Sequence, residues 1–201
     1  THLMDATPIR MGQVFSGYAQ QAKHAKQQAE CALAYICTNV PIGGTAVGTG
    51  INTHPEFGRH VCTILSQRTE IEFIEAHNHP EAQATKDHFV ATHGQLKNIA
   101  VSLTKIANDI RFISSGPRAG LGEITVPEVQ PGSSIMPGKV NPVISESVIQ
   151  VVGQVVGNDA AVALAGQGSY FELNTMMPVA AYNILQSISL LAASARNFSG
   201  Q

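Results

Sequence analysis

Charge is scarce in this chain of 201 residues: Asp, Glu, Lys and Arg make up 13% of it, roughly half the share in an average soluble domain, which is about 25%. Its twelve basic residues contain no dense run of Lys or Arg, which excludes a phosphate-tracking stripe and argues against nucleic acid as a partner. Cysteine is limited to Cys31, Cys37 and Cys62, an odd number with no Cys-x-x-Cys pair, so neither a zinc site nor a redox centre is encoded and a reducing compartment is expected. No apolar run approaches the roughly 20 residues that cross a bilayer, so no membrane is expected. No signal or Arg-rich transit segment opens the chain. The first residue is Thr1 rather than Met, so an upstream targeting segment is left open.

What is present is helical periodicity. Phe15, Tyr18, Ala22, Ala25, Ala29, Ala32 and Ile36 recur at steps of three and four, the seam of a packed helix. A second helix is expected from about Pro55 to Ala76, using Phe57, Val61, Ile64, Leu65, Ile71 and Ile74, and ending before Pro80. The third, about Ala84 to Ile113, keeps heptad spacing through Leu96, Ile99, Leu103, Ile106, Ile110 and Ile113, and would be about 45 Å long. Residues 114–142 hold five prolines and five glycines, a loop of the length that lids and binding segments use. Asn141 and Pro142 then read as N-cap and first residue of a fourth helix. That helix is apolar on nearly every side through residues such as Val148, Val152 and Val155, hence central and buried. A fifth is expected from about Glu172 to Phe198, with Leu173, Met177, Ala181, Ile184, Ile188, Leu191, Ala195 and Phe198 on one seam. Five helices without an alternating strand give an all-α long-helix bundle. So few charges on so elongated a surface predict that faces are covered by identical subunits.

Among the motifs, Gly43 to Gly50 resembles a phosphate cradle but follows a helix and lacks the Gly-Lys-Ser/Thr ending; it reads as a tight connection with a role in lining a site. His77 and His79 lack the acidic or Cys partner that a metal site needs. His24, His54, His60, His88 and His93 are expected at helix surfaces or ends. The segment Gly132-Ser133-Ser134-Ile135-Met136-Pro137-Gly138-Lys139-Val140-Asn141-Pro142 differs in kind. It joins two hydroxyls, an ammonium and an amide to flexible backbone at the start of a helix, where unpaired N–H groups suit a small carboxylate or phosphate. Glu146, one turn further on among valines and isoleucines, is a carboxylate in need of a partner; a histidine would serve.

The loop GSSIMPGKVNP resembles the signature of the fumarase, aspartase and argininosuccinate lyase superfamily, and THLMDATP resembles its first active-site segment, with Met4 where Gln is usual. GGTAVGTGINTHPEFG, VSLTKIANDIRF, SSGPRAGLGEI, GNDAAVALAG and FELN resemble class II fumarate hydratases in the same order. The resemblance implies a central helical domain over residues 1–201, lacking the family's N-terminal and C-terminal domains. It also implies a homotetramer with a twenty-helix core and an active site shared between subunits. It implies interconversion of fumarate and L-malate, a tricarboxylic acid cycle reaction, with no metal and no organic cofactor. Carried over by position, Ser133 is the catalytic base, His2 activates the water and Glu146 partners His2. Thr1, Ser134, Lys139, Val140 and Asn141 bind substrate, and the loop from about Gly116 to Gly138 closes over it. The implied location is cytoplasmic, or the mitochondrial matrix if a transit peptide precedes Thr1. Gly138, Gly44 and Val47 follow the fumarase pattern, whereas VNPVI and MMPVAAYNILQSI have an aspartase flavour. The alternatives are therefore an aspartate ammonia-lyase and a non-catalytic assembly core. Pro80, and Val143-Ile144-Ser145, also depart from the common fumarase residues without removing a catalytic group.

Overall fold

The computed structural model describes residues 1–200. Its helices are α1 (Met11–Cys37), α2 (Phe57–Thr69), α3 (His79–Ala84), α4 (Asp87–Ile113), α5 (Val143–Gln167) and α6 (Met177–Gly200), with one antiparallel pair of two-residue strands, β1 (Ser169–Tyr170) and β2 (Leu173–Asn174), before α6. The expected all-α long-helix bundle is the observed architecture. Helix α4 lies at its centre, packed against α1, α5 and α6, and α5 packs in turn on α6.

Val148, Val155 and Val162 of α5 are 1%, 0% and 1% exposed and meet Leu96, Ala100 and Ala107 of α4 and Ile184 and Leu191 of α6. Full burial of such side chains contributes about 1.5–3 kcal/mol each. Ala100 and Ala107, both wholly buried, let α5 approach α4 closely. By length and composition α5 is apolar enough to span a membrane, contrary to the expectation that no run comes near that measure. Its packing between α4 and α6 and its Asn158 and Asp159 in an interhelical polar network fit a core helix instead.

Several boundaries differ from the periodicity reading. The second helix stops at Thr69, where Glu70 takes a left-handed conformation (φ 59°) and donates its N–H to Ser66 O. Residues 71–75 then alternate between part-buried and exposed, with Ile71, Phe73 and Glu75 turned inward. Their backbone runs beside the end of α1, with Ile74 N donating to Cys37 O (3.0 Å) and Ala76 N to Val40 O (2.9 Å). Ile71 and Ile74 fit a helical spacing, but this segment is extended. Pro80 opens the short helix α3, which the sequence reading missed. Pro142, not Asn141, is the N-cap of α5. Leu173 belongs to β2, and α6 buries Ala180, Ile184, Ser187, Leu191 and Ser194, a seam turned from the expected one, so that Ile188 is 45% exposed. On α1, Tyr18 and Ala32 are buried, whereas Phe15, Ala22 and Ala29 face outward.

The largest correction concerns His93, expected at a surface and found 0% exposed. Its Nδ1 lies 3.1 Å from Asp159 Oδ1 and its Nε2 2.8 Å from Ser187 Oγ. Lys97 Nζ donates to Asp159 Oδ2 at 2.5 Å, and Asn158 Nδ2 donates to Ser187 Oγ (3.0 Å) and Gln186 Oε1 (2.9 Å). This network ties α4, α5 and α6 together through directed bonds inside an otherwise apolar core. Burial alone would raise the Asp159 pKa, but the hydrogen bonds from Lys97 and His93 outweigh it and hold the carboxyl below its ordinary value.

Candidate active site at the junction of α4 and α5

The last turn of α4 and the first turn of α5 meet where the 114–142 loop leaves one helix and enters the other. Between them opens a cavity of about 680 Å³, whose polar wall includes Asn108, Arg111, Lys139, Asn141 and Glu146, with Val140 and Leu3 also lining it. A single chain thus brings together four of the residues expected from the sequence: Lys139, Val140, Asn141 and Glu146. Arg111 is the addition. It was missed because it sits in an unremarkable helical stretch, and only the packing of α4 on α5 turns it toward the loop.

The loop is shaped by its own backbone. Gly132 is required, since a Cβ there would lie 1.6 Å from Lys139 O, and this close approach lets Asn141 Nδ2 donate to Gly132 O at 2.8 Å. Gly138 turns the chain at φ 73°, a conformation that glycine adopts without steric cost. Ser133 Oγ accepts the backbone N–H groups of Ile135 (3.3 Å) and Met136 (3.2 Å). Two N–H donors on one hydroxyl oxygen stabilise negative charge on it, which is what a serine acting as a base needs. Ser134 is exposed. We expect Gly132→Ala to displace the loop and lower turnover at least about tenfold through misplacement of Lys139 and Asn141, with the helical circular dichroism unchanged; unchanged turnover would contradict the role of this approach.

The N-terminal segment is not joined to this cavity through His2. Residues 1–10 are exposed, and Met4 N donates to Thr1 O at 2.9 Å. His2 and Leu3 have φ values of 56° and 60°, an unfavourable region for non-glycine residues. The expected pairing of Glu146 with His2 is not made within the chain: the cation beside Glu146 Oε1 is Arg111 Nη2, at 4.0 Å. Both side chains of that pair are about two-fifths exposed, so it orients the carboxylate more than it stabilises the fold.

The remaining singled-out histidines have structural settings. His77 is exposed, while His79 Nε2 lies 3.1 Å from Ile42 O and 3.2 Å from Glu75 Oε1. The glycine-rich segment 43–50 packs on α3: Gln83 Nε2 donates to Thr45 O at 3.1 Å, and a Cβ on Gly44 would lie 2.0 Å from Gln83 Oε1. Cys37 and Cys62 are buried, which raises both thiol pKa values, and Cys31 is exposed.

A lyase family model matches residues 1–157. The chain belongs to this lyase family. It is 52% identical over 198 residues to a class II fumarate hydratase of Nitrosomonas europaea and 54% identical over 199 residues to one of Corynebacterium efficiens, in each case across 98% of this chain and 43% or 42% of the relative. The fold superposes on a class II fumarase of Schistosoma mansoni with a TM-score of 0.95 at 37% identity, covering 98% of this chain and 44% of that one. A fumarate lyase:delta crystallin structure of Brucella melitensis gives a TM-score of 0.91 at 47% identity, over 98% and 43%. The chain spans less than half the length of the curated relatives it matches.

Proposed function

We propose that this lyase reversibly hydrates fumarate to L-malate, without a metal or organic cofactor, and that residues 1–201 are the central helical domain of a longer protein. The observation that carries this reading is the Ser133 hydroxyl held by two backbone N–H groups in a loop whose far end, at Lys139 and Asn141, lines a cavity with Arg111 and Glu146. In the dehydration direction Ser133 takes the proton from the carbon next to a malate carboxylate, and the electron pair spreads into that carboxylate. Lys139 and Asn141 stabilise the growing negative charge, with Thr1, Ser134 and Val140 as further substrate contacts. His2 then gives a proton to the departing hydroxyl, which leaves as water.

For this geometry the site is shared between subunits. His2 is exposed and, unlike its neighbour Leu3, does not line the cavity, so it serves a site whose Ser133, Lys139 and Glu146 belong to another copy. There Glu146 leaves part of its carboxylate to Arg111 and offers the rest to the incoming histidine. A homotetramer has apolar surface to form from: Leu164 is 62%, Tyr182 65% and Leu185 63% exposed on the outer faces of α5 and α6, more than isolated surface residues account for. The loop 116–138 closes the site against bulk water. We place the enzyme in the cytoplasm, as a protein that needs neither membrane nor nucleic acid.

The test follows fumarate ultraviolet absorbance on adding the protein, in plain buffer and then with ammonium. Loss of absorbance in plain buffer is expected. Loss only with ammonium would make the enzyme an aspartate ammonia-lyase, and an assembled but inert protein would make it an assembly core.

A further inference from the structure

A second cavity, of about 410 Å³, lies some distance along the chain from the α4–α5 junction, where the glycine-rich segment, α3, the start of α4 and the start of α6 come together. Its one cation is Lys86, the N-cap residue of α4, only 6% exposed. One of the three ammonium protons is taken by Ala82 O at 2.7 Å, and the Phe89 ring centroid lies 5.9 Å away, both residues of an adjoining hollow that shares Pro41, Lys86 and Met177 with this cavity. Among the described residues no carboxylate forms an ion pair with Lys86. Burial holds its pKa below the ordinary lysine value, partly offset by the more distant charge of Glu81. A buried ammonium without a counter-ion is costly, and an anion beside it would offset that cost.

The walls are built rather than accidental. Gln83, itself 8% exposed, pins the carbonyls of Thr45 and Ala46 from one side, and its Oε1 is sealed against Gly44 without a partner. Gly48, at φ 85°, presses on Pro80 so closely that a Cβ would lie 2.3 Å from Pro80 N. The glycine-rich segment is therefore fixed against α3, and Thr45 and Thr53 line the cavity together with Phe57, Leu173 and Met177. The N-terminus of the 27-residue helix α4 adds partial positive charge at the same end. A volume in this range suits a small organic ligand.

We propose that this cavity binds a small aliphatic monocarboxylate, its carboxylate on Lys86 Nζ and the threonine hydroxyls, its alkyl part against Phe57, Leu173 and Met177. A single cation selects one carboxylate, whereas the α4–α5 cavity sets the carboxylates of Asp109 and Glu146 beside Arg111 and Lys139. The two sites differ in chemistry and their tests are independent.

The experiment titrates sodium butyrate into the full chain labelled with methionine carrying a ¹³C methyl group, and follows the Met177 methyl resonance, assigned through Met177→Leu. Sodium chloride of equal ionic strength is the control. We expect a saturable shift with a dissociation constant on the order of 1 mM or tighter, absent with chloride and undisturbed by an excess of fumarate. Lys86→Met should weaken binding at least about tenfold. Leu173→Trp, which fills the apolar end and leaves the ammonium in place, should abolish it, so a folding defect in the first variant does not decide the matter. A shift that stays linear with butyrate, that chloride reproduces, or that survives both substitutions unchanged would overturn the proposal.

Discussion

Replacing Ser133 by alanine is expected to lower the turnover of fumarate by about a thousandfold while leaving the helical core and its assembly intact. The size follows from the chemistry. A positioned base contributes about 10²–10⁴-fold, and the oxygen removed is the one that the N–H groups of Ile135 and Met136 address at 3.3 and 3.2 Å. Those donors would then face water in place of a charged oxygen, so the preorganised stabilisation is lost along with the base. The fold should not respond, because Ser133 lies in a loop whose shape also depends on Gly132, Gly138 and the Asn141 hydrogen bond. Absorbance decay of fumarate measures the first expectation, and size-exclusion chromatography with thermal unfolding measures the second. Activity within a few-fold of the parent protein would remove Ser133 from the role of base.

The second large effect is on stability. His93→Ala should destabilise the fold by about 3–5 kcal/mol, since it removes a fully buried ring and strands buried polar partners: Ser187 loses its bond to Nε2 and Asp159 its bond to Nδ1. Asp159→Ala acts on the same network from α5 and leaves His93 without its carboxylate, at a cost of about 2–3 kcal/mol. The two effects should not add, because both substitutions break one shared contact. The pH dependence has a definite sign. The Asp159 carboxyl titrates below its ordinary value in the folded chain. Its contribution to stability is therefore complete above the ordinary carboxylate range, and is lost as pH falls toward the lowered folded value. Urea unfolding from neutral to acidic pH should show this loss in the parent protein and a shallower dependence in Asp159→Ala; parallel curves would refute the assignment.

Helical content, the long loop and the chemical character of the loop were legible from the sequence because each rests on local information. Spacings of three and four, a cluster of proline and glycine, and a lysine and an amide ahead of an apolar helix all act over a few residues, so α1 and α4 begin and end, and α5 begins, close to where the sequence puts them. Misreadings arose where distant contacts decide. Ile71 and Ile74 satisfy a helical spacing, yet the 71–76 backbone bonds to Cys37 and Val40, and a partner more than thirty positions away overrides the local pattern. His93 gave no sign of burial, since a polar residue on a helix is more often at the surface; Asp159 and Ser187, on two other helices, make its burial affordable.

The candidate site divides the same way. Ser133, Ser134, Lys139 and Asn141 are near neighbours in sequence, and their types at the start of a helix suggest an anion site, whereas the roles of Val140 and Glu146 came from the family resemblance. Arg111 meets Lys139, Val140, Asn141 and Glu146 only because the end of α4 meets the start of α5, and of the N-terminal segment it is Leu3, not His2, that reaches the cavity wall. By itself the sequence determined the helical class, the positions of the long helices and the residues able to handle a carboxylate, since periodicity and side-chain chemistry are carried by each short stretch. Only the tertiary structure decided which face of each helix is buried, which cation stands beside Glu146 and where a buried lysine lacks a counter-ion. Those depend on which surfaces meet, and that is settled by the packing energy of the whole bundle rather than by any one segment.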